Sequence, residues 1–93
     1  MKHKVSELEG ERLDRAVVLA AGGTLRRGGS ASTDWAVGGP IIEQERLTVM
    51  SHQTRGWGSG WMGEGQTHFG PTPLIAAMRA YVARKLGEEV ELP

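Results

Sequence analysis

The sequence predicts an α+β fold, a small antiparallel sheet with helices packed on it in an α-β-α sandwich-like arrangement. Three observations predict it. GPTPLIAAMRAYVARKLGEEV carries start, stop and periodicity signals of one helix. LTVMSH alternates like a strand, and glycine clusters punctuate the segment after it. At 93 residues the chain is one domain, residues 1–93, with room for a single thin core.

The first predicted element is a helix over about residues 6–21. Ser6 and Glu9 in SELE form a capping-box pattern. Leu13, Val17, Ala20 and Ala21 recur at helical spacing, Gly10 is a potential break, and Gly22-Gly23 stops the run. TLRRGGSAS then reads as a basic loop rich in Gly and Ser.

Ser32 or Thr33 is the expected cap of a second helix. Trp35, Gly39, Ile42 and Arg46 form one helical stripe, but Pro40 removes a backbone donor and crowds the preceding turn. The pattern predicts a kinked helix over about residues 33–44, with two short turns parted at Gly38-Gly39 as the alternative.

In LTVMSH, Leu47, Val49 and Ser51 alternate with Thr48, Met50 and His52. WGSGWM and QTHF supply a second and a third strand. The last helix has Thr72 as N-cap, Pro73 at its first position and Gly87 at its C-terminal cap. Leu74, Ile75, Met78, Val82 and Leu86 are its apolar stripe, flanked by Tyr81. Arg84 and Lys85 complement the dipole of its last turn. EVELP is a candidate edge strand.

Composition narrows the function. Basic and acidic residues balance at 11 each and alternate in sign, unlike the one-sided basic excess of a nucleic-acid binder, so duplex nucleic acid is not an expected partner. No apolar run approaches the ~18 residues of a membrane span, and MKHKVSELEGE lacks the apolar core of a signal peptide. The absence of cysteine excludes disulfides and thiolate metal sites. His3, His52 and His68 lack metal-ligand spacing, and no cofactor fingerprint is present; no metal or cofactor is expected.

KVSELEG, STDWAVGGPIIE and GPTPLIAAMRAYVARKLGEEV, in that order, resemble the NinX-like family of small phage accessory proteins. The ST-D-W-A part is also similar to the broader phage ABA-sandwich proteins. The resemblance implies a phage or prophage origin and a location in the host cytoplasm. It brings no activity and no catalytic residues with it.

Three groups of residues are candidates for a site. In RGWGSGWMGEG, an extended strand puts Trp57, Ser59 and Trp61 on one face, while Gly58 and Gly60 leave the other bare. The rings either pack in the core or line a slot for a planar group. In RRGGSASTDW, Arg26 and Arg27 precede a helix start where free N–H groups and the hydroxyls of Ser30, Ser32 and Thr33 suit an anionic oxygen. The plainer reading is capping, with Asp34 in the first turn and Trp35 beside it. Arg79 lies at the edge of the last helix's apolar stripe. It either pairs with a carboxylate such as Asp34 or Glu43, or faces an anionic ligand. His68 with Glu64 or Ser59 can be drawn as an acid–base pair, but no nucleophile elbow surrounds the serines, and an enzyme is not expected.

The expectation is a non-enzymatic binding protein that holds a small anionic, nucleotide-like molecule, such as a host defence signal it sequesters. Its expected ligand-binding residues are Ser30, Ser32, Thr33, Asp34, Trp35, Trp57, Trp61 and Arg79. The alternative is a protein–protein module docking a Trp-rich patch on a host or phage protein. A homo-oligomer is expected, since a domain this small gains a pocket most readily at an interface.

Overall fold

In the computed structural model, residues 1–22 and 30–92 are described, so Arg26 and Arg27 lie outside the described residues. The elements are β1 (Lys2–Lys4), a 3-10 turn (Val5–Glu7), α1 (Gly10–Ala20), α2 (Trp35–Glu45), β2 (Thr48–His52), β3 (Gly56–Gly60), β4 (Thr67–Gly70), α3 (Pro73–Leu86) and β5 (Glu89–Glu91). The fold is α+β. β2, β3 and β4 form an antiparallel sheet in that order, and β1 pairs with β5 in a second.

α3 is the centre of the molecule. It lies on the three-stranded sheet, and α1 and α2 pack against it in turn. A helix enclosed this way must be apolar nearly all round. Leu74 and all eight residues from 76 to 83 are buried, four of them alanines that let neighbouring backbones approach. Its ends are as the sequence predicts: the Thr72 hydroxyl accepts from the Ile75 N–H at 3.1 Å, Pro73 opens the helix and Gly87 closes it. The stripe is broader than predicted, and Leu86 is exposed.

Other ends differ from expectation. No Ser6–Glu9 capping box forms, because Ser6 belongs to the 3-10 turn, and α1 starts at Gly10 after an N-cap Glu9 that makes no side-chain capping bond. α2 is one helix through Pro40, whose missing donor would have reached the exposed Ala36. Its cap is Asp34, accepting from the Ala36 N–H at 2.9 Å, in place of Ser32 or Thr33. It ends with Arg46 in the left-handed region at φ 58°, where the Arg46 and Leu47 N–H groups return to Glu43 and Ile42. That is a Schellman closure without glycine.

β1 was not predicted. KHK has no apolar alternation, and its pairing signal lies across the chain: Lys2 faces Glu91, Lys4 faces Glu89, and His3 faces buried Val90. Among the described residues, no helix is long and apolar enough to cross a membrane.

Candidate functional site

The predicted site residues fall into three places. Ser30, Ser32, Thr33 and Asp34 do form a turn of donors at the start of α2, and an anion sits in it, but that anion is the protein's own. The Asp14 carboxylate of α1 accepts from the Ser30 hydroxyl at 2.7 Å and from the Ser32 N–H at 2.9 Å. Thr33 Oγ1 lies 2.6 Å from Ser30 Oγ and completes the cluster. Asp34 is committed to capping. Trp35, 56% exposed, shares a shallow groove of ≈ 240 Å³ with Ser32, Thr33 and the start of α3.

The tryptophans of the glycine-rich segment are half-buried. Trp61 clamps three elements. Its Nε1–H donates to the Glu45 carbonyl at the end of α2 at 2.8 Å, and the Arg84 guanidinium of α3 stacks 4.3 Å from its ring centre. Arg84 is fixed in turn by both oxygens of Glu64 at 2.8 Å. Trp57 pairs with Ser51 and with the irregular end of β4.

The glycines of this strand make room for the chain itself, a correction to the bare face expected of them. A Cβ on Gly58 would meet Thr67 Cγ2 at 3.1 Å and Phe69 Cε1 at 3.5 Å, and one on Gly60 would strike the Gln66 carbonyl at 2.7 Å. Glycine here lets β4 and its side chains lie close over β3.

Arg79 is in neither group. It is 8% exposed and has no carboxylate partner among the described residues; Asp34 and Glu43 do not reach it. Its Nε–H donates to the Leu8 carbonyl and Nη1 to the Phe69 carbonyl, both at 2.8 Å. The side chain thus bridges the segment after β1 and strand β4. Among the described residues, Nη2 has no hydrogen-bond partner. Burial lowers the guanidinium pKa from its usual value, and the charge of Glu9 offsets this in part.

This arginine lines a cleft of ≈ 770 Å³ that runs along β4. Residues 66–71 form one wall, Ser6 and Glu88 lie across from it, and residues 54–56 of the β2–β3 turn close one end. Arg55 lines the cleft as well, its guanidinium stacked over the Phe69 ring at 4.8 Å, and Phe69 is the residue whose carbonyl Arg79 holds. The His52 ring, 5.2 Å from that of Phe69, holds the turn by accepting from the Thr54 and Arg55 N–H groups through Nδ1. At the other end Glu88 accepts from Gln66 Nε2 at 2.8 Å and lies 3.1 Å from His68 Nε2.

His68 is therefore engaged by Glu88, and Glu64 by Arg84. Ser59 lies opposite His68 in the register, yet its Oγ and His68 Nδ1 are both buried without hydrogen-bond partners among the described residues. The sequence pointed to Arg79 through its place beside the apolar stripe. It gave no signal for Glu88, Gln66 or the role of Arg55, which depend on the packing of β4 against the β5 end.

A family model described as "Bacteriophage P22, NinX" matches residues 24–85, two thirds of the chain. The match takes in α2, the three-stranded sheet and all but the last residue of α3, including Arg79, and excludes KVSELEG and Glu88. No curated protein matches the chain. The chain belongs to the bacteriophage P22 NinX family.

Proposed function

We propose that this member of the NinX family binds a small anionic, nucleotide-like molecule in the β4 cleft and holds it without chemical turnover. The observation that carries the reading is Arg79: a side chain left 8% exposed, its guanidinium at an open cleft and in no ion pair among the described residues. Desolvation of this charge is offset only in part by Glu9, and an incoming anion relieves what remains. Arg55 adds a second positive charge, and the hydroxyls of Ser6, Thr54 and Thr67 supply neutral donors. In a phage-family protein acting in the host cytoplasm, this chemistry suits sequestration of a host defence signal.

Thermal unfolding of the purified protein against linear and cyclic nucleotides and inorganic phosphate tests the reading. A binder at 100 times its Kd stabilises by about 2.7 kcal/mol. Recovery of the added nucleotide unchanged after prolonged incubation is expected. An unfolding temperature unmoved by every anion would refute the proposal.

A second reading, docking on a protein partner, is favoured by exposed Trp35 beside the groove at the start of α3. A homo-oligomer built through this face would be seen as a concentration-dependent mass in sedimentation, lost in Trp35→Ala.

A further inference from the structure

We infer that the β4 cleft discriminates for a phosphorylated sugar bearing free hydroxyls, with its phosphate on Arg79 and Arg55 and its hydroxyls on Glu88. This rests on the reading of the cleft as an anion site and specifies the rest of the ligand.

The cleft is polarised along its length. The Glu88 contacts fall at residues 66 and 68, and the Arg79 contact falls at residue 69 of the same strand. At about 3.3 Å of rise per residue, the acidic and basic ends are separated by roughly 3–10 Å. Although Arg79 and Glu88 line one cleft, they form no ion pair. An occupant must therefore present an anion at one end and hydrogen-bond donors at the other. A sugar phosphate does so within one small molecule.

The two ends differ in kind. Two guanidiniums suit the double charge of a phosphate monoester and its several acceptor oxygens. An ionised carboxylate only accepts, and has about four lone-pair sites. Gln66 and His68 take part of that capacity and hold the group in place. What remains accepts from hydroxyl donors, and a vicinal diol offers two. Within the cleft, Ser6, Gln66 and Thr67 near Glu88 are uncharged and suit a polyhydroxyl body, while Lys4 and Glu89 line an adjoining hollow that Ser6 and Glu88 also face.

Isothermal titration of the wild-type protein with inorganic phosphate, ribose 5-phosphate and 2-deoxyribose 5-phosphate tests the inference. Ribose 5-phosphate is expected to bind about tenfold more tightly than its deoxy analogue, a modest factor because Glu88 is half exposed. Glu88→Ala is expected to erase that gap while phosphate binding persists. Equal affinity for the two sugars in the wild type overturns the inference and leaves the anion site standing. If no phosphate compound binds, both fall. The wild-type ratio decides the matter even if the variant fails to fold.

Discussion

The turn at Ser30–Asp34 and the cleft at Arg79 are built from the same kind of chemistry and end in opposite states. Each gathers hydrogen-bond donors suited to an anion. In the turn, Asp14 reaches across from α1 and takes the Ser30 hydroxyl and the Ser32 N–H. In the cleft, the guanidinium spends two donors on backbone carbonyls and forms no ion pair among the described residues, Glu9 offsetting its burial only in part. Donors alone do not make a site. On the proposed reading, what separates the structural joint from the cleft is how fully the chain provides the counter-charge itself.

Exchanging the arginine should have the largest effect. Arg79→Met leaves the Leu8 and Phe69 carbonyls without their charged donor, and two such bonds at about 1.5–3 kcal/mol each set an expected loss of roughly 3–6 kcal/mol in urea unfolding. Arg79→Lys is expected to recover only part of this, since one ammonium cannot reproduce the fork. Full recovery by lysine would show that charge alone matters there.

Removing the internal anion comes next. Asp14→Ala is expected to cost about 2 kcal/mol, because the Ser32 N–H loses its acceptor. Sulfate should restore part of that loss in the variant and none in the wild type. Absence of any sulfate effect in Asp14→Ala would mean that the turn is not an anion site even when emptied. Smallest in stability is Arg55→Ala, expected to stay within about 0.5 kcal/mol of wild type since the residue is exposed. Its effect should show instead as a several-fold loss of phosphate affinity by titration. Unchanged affinity would remove the second positive charge from the cleft and narrow the difference between the two regions.

The parts of the fold legible in the sequence were those whose information is local. α3 carries its cap, its first proline and its closing glycine within one continuous segment, and all three act as read. β2, β3 and β4 follow from alternation and glycine punctuation. The features that escape the sequence are those without a local signature. β1 is specified by lysines that match glutamates on β5. Arg46 takes a left-handed conformation that its residue type does not announce. The serine turn looks like an anion site until Asp14 is placed beside it.

The candidate site shows the same division. Arg79 could be singled out as a cation at the margin of an apolar stripe, but its carbonyl partners could not. Glu88 reads as one acid in an exposed GEEVE run. Only the fold brings it to the strand that also holds the arginine.

Because Leu8 and Phe69 clasp the Arg79 fork from two sides, its orientation is settled before any visitor arrives. The rotamer freedom that a mobile arginine would surrender at the moment of capture has already been lost in folding. If the cleft takes the anion proposed for it, association should then need little rearrangement.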